Sequence, residues 1–104
     1  MISLHVYINP KSGKEVQVEK SIRDGWIAAM SEQPGFISAA MLIPYADDAL
    51  EALGASKPET AYEVVSVWES ENLRLEWVAR PIHDEVFVPL LDLAKDVSYT
   101  LKEV

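Results

Sequence analysis

FISAAMLIPY, residues 36–45, is an almost unbroken apolar run that starts directly after Pro34-Gly35 and is closed by Pro44. It is short for a buried helix, and its length and turn-forming borders read as a strand buried on both faces. Ala61 to Trp68, AYEVVSVW, is a second strand with clean alternation. Tyr62, Val64, Ser66 and Trp68 share one face; Glu63, Val65 and Val67 share the other. Between the two lie residues 46–60, with Asp47, Asp48, Gly54 and Pro58. They read as a long surface connection with a helical turn around Ala49–Leu53.

Upstream, residues 2–8 alternate as well. Ile2, Leu4, Val6 and Ile8 face one way, and Ser3, His5 and Tyr7 the other; Pro10 ends this strand because proline cannot donate to a ladder. Ser12-Gly13-Lys14-Glu15 fits a capping box, with the Ser12 hydroxyl and the Glu15 carboxylate satisfying free amides at a helix start. The helix runs to about Ser31. Val18, Ile22, Trp26 and Met30 recur every four residues on its inner face. Gly25 is a weak interior point, explained by a close helix–sheet contact. Downstream, Ser70 is a good N-cap for a helix over about 71–79, which Arg80-Pro81 breaks. A second helical piece covers roughly 84–94, and Pro89 either kinks it or marks its first turn. Val97, Tyr99 and Leu101 alternate with Ser98, Thr100 and Lys102 in a last strand.

The order is strand–helix–strand–strand–helix–strand. A ferredoxin-like α+β fold satisfies it: a split βαβ arrangement with a four-stranded antiparallel sheet and helices on one face. The other sheet face stays uncovered and still carries apolar side chains from residues 36–45 and 61–68. A second copy of the chain, docked through a two-fold interface, is the simplest cover, so a homodimer is expected.

The 104 residues form a single domain, 1–104, and 49% apolar content is ample for one core. A net charge of −8 speaks against nucleic acid or an anionic membrane surface as partners. The absence of cysteine excludes disulfides, thiolate catalysis and cysteine metal sites. The first ten residues lack the basic and apolar regions of a secretion signal, and no run is long enough to span a membrane. A cytoplasmic location is the expectation. Asp47 and Asp48 are adjacent loop carboxylates without other ligands, and no metal site is expected.

Four short motifs, in this order and spacing, resemble the antibiotic-biosynthesis-monooxygenase family. They are Lys11-Ser-Gly13-Lys14, Gln33-Pro34-Gly35-Phe36-Ile37, Val67-Trp68-Glu69-Ser70, and Glu76-Trp77-Val78 with Arg80-Pro81-Ile82-His83. The resemblance covers nearly the whole chain apart from residues 46–60. It implies a dimeric α+β barrel with a pocket in each protomer between sheet and helices. It also implies a cofactor-independent monooxygenase acting on an aromatic quinol or polyketide-like molecule. Trp68 matches the tryptophan that lines the pocket at the end of the third strand, where its indole N–H would steady a developing oxyanion. His83 matches a histidine suited to general-base work, and His5 is a second candidate base. Tyr7, Tyr62, Trp77 and Asn9 are the substrate-binding candidates.

Each residue has a plainer reading as well: Trp68 as a core residue fixing the turn that follows it, His83 as a helix cap, and His5 and Tyr7 as satisfied polar groups. Some relatives degrade haem, and Trp77 with His83 keeps that as an alternative, although the tryptophan–histidine spacing is shorter here. A non-catalytic dimer that binds a small ligand is a third reading.

Overall fold

A computed structural model describes residues 1–104. Strand β1 (Ile2–Pro10) leads into one continuous helix over residues 15–30, called α1. Strand β2 (Phe36–Leu42), a short helix α2 (Asp47–Leu53) and strand β3 (Tyr62–Trp68) follow. Helices α3 (Glu71–Ala79) and α4 (Pro81–Leu93) then run into β4 (Ala94–Glu103). The sheet order is β2-β3-β1-β4 and every neighbouring pair is antiparallel. This is the expected ferredoxin-like α+β arrangement.

The strict four-residue spacing in α1 has a physical consequence. In a regular α-helix, side chains four apart drift by about 40° per step. Here the helix starts as α over Glu15–Lys20, widens to π geometry over Ser21–Ile27, and returns to α over Ala28–Met30. The wider turns bring the spacing back into phase. Val18, Ile22, Trp26 and Met30 are all buried. Gly25 sits in the π segment, and a Cβ placed there would lie 4.0 Å from Val86 of α4. The close contact is thus helix to helix, not helix to sheet. The Ser12 capping box does not form: Lys14 is the N-cap and no side chain caps the helix.

The register puts Leu4, Val6 and Ile8 of β1 beside Ser66, Val64 and Tyr62 of β3, all on the helix side. All of these but Ser66 meet α1, Trp77 of α3 and Leu90 of α4 in one core cluster. Burial of each large apolar side chain contributes roughly 1.5–3 kcal/mol. Strand β2 ends at Leu42 and is half exposed, which corrects the reading of 36–45 as a strand buried on both faces. The reason is its place at the sheet edge, where α1 covers only part of it. Helix α4 begins at Pro81, not near residue 84. Arg80 is extended, as a residue before proline prefers, and Pro81 occupies the first turn, where its missing N–H costs nothing. Pro89 lies inside the helix, which continues through it to Leu93. No helix is long and apolar enough to cross a membrane.

Gly35 decides how α3 approaches the sheet. Its φ of 85° lies in the left-handed region, and an added Cβ would fall 2.6 Å from Leu73 Cβ. Its carbonyl accepts the Glu69 N–H at 2.8 Å. Gly35→Ala is expected to cost about 2–5 kcal/mol, from backbone strain plus the clash with α3. The melting temperature should fall by at least about 8 °C, readable by circular dichroism.

The face away from the helices carries Ser3, His5 and Tyr7 of β1, Glu63, Val65 and Val67 of β3, Ser38, Ala40 and Leu42 of β2, and Ser98, Thr100 and Lys102 of β4. It is therefore split: polar over β1 and β4, apolar over β2 and most of β3. Large apolar side chains at Ile37, Leu42 and Ile43 are exposed at its β2 end.

Candidate functional site

A cavity of about 300 Å³ opens on the helix side of the sheet. Its wall comes from Leu4 and Val6 of β1, Ser66 and Trp68 of β3, Val97 and Tyr99 of β4, Trp26 and Met30 of α1, and α3 and α4. Most lining residues are apolar, and the volume lies at the lower end of small-ligand sites. Three of the expected residues meet there: Trp68, Trp77 and His83.

Trp68 ends β3 and is fully buried. Phe36 packs edge-on against it, with ring centroids 5.6 Å apart. Its indole N–H donates to Ser66 Oγ at 3.1 Å. The hydrogen bond expected to serve a substrate oxyanion is thus already committed to a neighbour two residues away on the same strand face. Ser66 can pass that polarity on, since its own hydroxyl proton remains available to donate.

Trp77 and His83 are brought together by the break at Arg80-Pro81. Ser70 caps α3 by accepting the Leu73 N–H at 3.2 Å, and the chain turns at Arg80 so that the first turn of α4 lies beside the last turn of α3. The His83 ring packs edge-on to Trp77 at 5.1 Å and tilted against Phe87 at 5.3 Å. His83 Nδ1 is 3.2 Å from Asp84 Oδ1. With the carboxylate accepting from Nδ1–H, Nε2 is the nitrogen with the free lone pair. This geometry suits proton abstraction and does not need the ring to serve as a cap.

The other expected residues lie elsewhere. His5 and Tyr7 are on the opposite sheet face, so they do not join Tyr62, which faces the helices. His5 bridges Glu63 Oε2 at 2.8 Å and Ser3 Oγ at 2.9 Å. Tyr7 lines a second, more polar hollow of about 770 Å³ beside the 43–60 connection, together with Tyr45, Lys57 and Glu63. Asn9 ties strands together, donating to Asp96 at 2.9 Å and accepting the Ala61 N–H at 2.9 Å. Tyr62 is buried and donates to Glu19 Oε2 at 2.9 Å.

Burial and the adjacent Glu19 carboxylate push the Tyr62 phenol up to about 12. An unfolded tyrosine titrates near 10. Below pH 10 the proton is present in both states, and the contribution to stability is complete. Between about 10 and 12 only the unfolded chain gives it up, so stability should fall across that window. Chemical denaturation at stepped pH should show this slope in the native sequence and lose it in Tyr62→Phe.

Two residues of the wall were not singled out from the sequence as site residues. Trp26 lines the cavity, and its indole N–H is buried without an acceptor in the protein. Arg74 of α3 lines it too, and its side chain is largely buried. The four-residue periodicity marks Trp26 as inward-facing but not as a wall of empty space, and nothing in the helix pattern separates Arg74 from a solvent-facing arginine. No group of three or more His, Asp or Glu side chains is placed to hold a metal ion.

No protein-family model and no curated protein matches the sequence. Solved structures do match. SnoaB, a cofactor-independent oxygenase from Streptomyces nogalater, superposes with a TM-score of 0.76 at 16% identity, over 99% of this chain and 91% of that one. A candidate antibiotic biosynthesis monooxygenase from Deinococcus radiodurans gives 0.76 at 11% identity, over 100% and 92%. This chain shares the ferredoxin-like α+β fold of these structures. A protein from Arabidopsis thaliana shares this fold with a TM-score of 0.79 at 15% identity, over 100% and 95%. At such identities the likeness establishes architecture, and chemistry has to be argued from the cavity.

Proposed function

We propose that this protein is a cofactor-independent monooxygenase acting on a small electron-rich aromatic phenol or quinol, and that it works as a homodimer. The observation that carries the reading is the cavity itself. In a fold shared with a cofactor-independent oxygenase, it brings the His83 imidazole against Trp77 and Phe87, with Trp68 in the same wall.

The chemistry follows from these groups. An aromatic substrate lies in the apolar cavity among Leu4, Phe87, Val97 and Tyr99, over the buried rings of Trp68 and Trp77, which orient it and keep water out. His83 Nε2 takes a proton from the acidic carbon or hydroxyl of the ring. The resulting carbanion is the reductant: it gives one electron to dioxygen, the two radicals combine into a peroxide anion, and the His83 imidazolium returns its proton to give the hydroperoxide. Loss of water leaves a carbonyl. A CH₂ group and O₂ thus become C=O and H₂O, with one oxygen atom in the product and one in water. The cavity volume suits two or three fused rings.

Support for the dimer is the uncovered sheet face with its apolar β2–β3 half. The test of the whole reading is oxygen uptake by metal-stripped protein with a panel of small anthrones and quinols. Turnover that Trp68→Phe and His83→Ala both depress is expected. No uptake with any of the panel would sink the enzyme reading and leave a ligand-binding dimer.

A further inference from the structure

The wall of the cavity is electrostatically one-sided. The chain carries 17 Asp and Glu residues against 9 Lys and Arg, yet none of the 17 lines the cavity. Its only permanently charged lining group is Arg74. That side chain is 12% exposed, and its partner is Glu71, one turn earlier, which is 38% exposed. Arg74 Nε donates to Glu71 Oε1 at 2.9 Å, and Nη2 reaches the same oxygen. One carboxylate oxygen thus takes one edge of the guanidinium fork. Nη1 makes no hydrogen bond within the protein, so the fork keeps donors for a second acceptor.

A second unpaired donor belongs to Trp26, a residue of the same wall. Trp26 is 98% buried by its 2% exposure, and its indole N–H has no acceptor. Leaving a buried donor unpaired is costly, and helix packing on its own would favour phenylalanine or leucine here. The neighbouring ring, Phe87 at 5.0 Å, offers no lone pair. Arg80 holds the other buried donor without a partner, but it does not line the cavity. A buried cation and a buried N–H, in a wall with no carboxylate, select for ligand oxygen and for negative charge.

We propose that the cavity selects a planar aromatic anion, with its charged oxygen received by Arg74 and a second carbonyl or hydroxyl oxygen received by the Trp26 N–H. This deepens the monooxygenase reading and rests on it for the site, since it names the charge state of the molecule that the same cavity takes. Arg74 and Trp26 are recognition residues; proton abstraction stays with His83.

The experiment is calorimetric or fluorescence titration with three probes of one size: 2-naphthoate, its neutral amide 2-naphthamide, and 6-hydroxy-2-naphthoate. The native protein should bind the acid about 10- to 100-fold tighter than the amide, the range expected for a hydrogen bond to a charged group. Arg74→Gln should erase that preference with the amide unchanged, and Arg74→Lys should keep most of it. Trp26→Phe should remove the added affinity of the hydroxy acid over the plain acid, while melting curves show each variant folded. Equal affinity for acid and amide in the native protein would overturn the proposal. So would a preference that survives Arg74→Gln, or no binding of any probe. None of these probes is a quinol or an anthrone, so the oxygen-uptake assay remains a separate readout. Turnover without anion preference removes this inference alone, and anion preference without turnover leaves a binding site that is not an oxygenase.

Discussion

His83→Ala is expected to lower kcat for oxygen consumption by about 10²–10⁴, the usual contribution of a positioned general base. The expectation rests on three features of one side chain. Its ring lines the cavity, Trp77 and Phe87 fix its plane, and Asp84 holds Nδ1 so that Nε2 is left to work. His5→Ala is the contrast. That ring sits on the far side of the sheet between Ser3 and Glu63, and its loss should leave the rate per folded protomer unchanged. The measurement is oxygen uptake under substrate saturation, with KM followed in parallel. A fall in kcat at nearly constant KM marks a group that acts in the transition state. If His5→Ala depresses kcat and His83→Ala does not, the base belongs to the other sheet face and the assignment of the cavity is wrong.

That contrast also separates what the sequence could reveal from what it could not. Both histidines look alike from a distance: one polar residue in an apolar setting, each within reach of an aromatic neighbour. Strand periodicity assigns His5 to the face of Ser3 and Tyr7, and the register bears this out. It does not say which face holds the cavity, because that depends on where α3 and α4 lie. The break at Arg80-Pro81 is legible, and so is the Ser70 cap, since proline and N-cap chemistry act locally. How far Pro89 disturbs α4 is not local. The helix runs on to Leu93, with Leu90 fully buried in the core just after it.

Trp68 and Trp26 show the same limit inside the site. Both are inward-facing by spacing, and a tryptophan at the end of a strand is the more conspicuous of the two. Only the fold reveals that Ser66 already takes the Trp68 N–H while the Trp26 N–H has no acceptor in the protein. Hydrogen-bond partners two residues away on a strand face, or across a π-widened helix, leave no periodic trace. Asn9 is the converse case. It looks like a site residue by its place near the end of β1, and it serves to tie β1 to β4 and to the start of β3.

Val67→Lys should turn a dimer into a monomer. Val67 stands on the uncovered face with Ser3 beside it on β1 and Ser38 beside it on β2. In the isolated chain a lysine here meets two small polar neighbours and open solvent, so the fold should survive. Across a two-fold interface the same substitution is made twice, and each ammonium is buried without a counter-charge. A buried unpaired charge costs several kcal/mol, so two raise the dissociation constant by about 10³-fold or more. Sedimentation or light scattering at micromolar protein should give the mass of two chains for the native sequence and of one chain for the variant. The cavity lies on the helix side of the sheet, away from the proposed interface. The monomeric variant should therefore keep its melting transition and its capacity to bind an aromatic ligand. Loss of binding together with loss of the dimer would mean that the partner supplies part of the wall. A native protein that sediments as one chain would leave the apolar half of the β2–β3 face facing water.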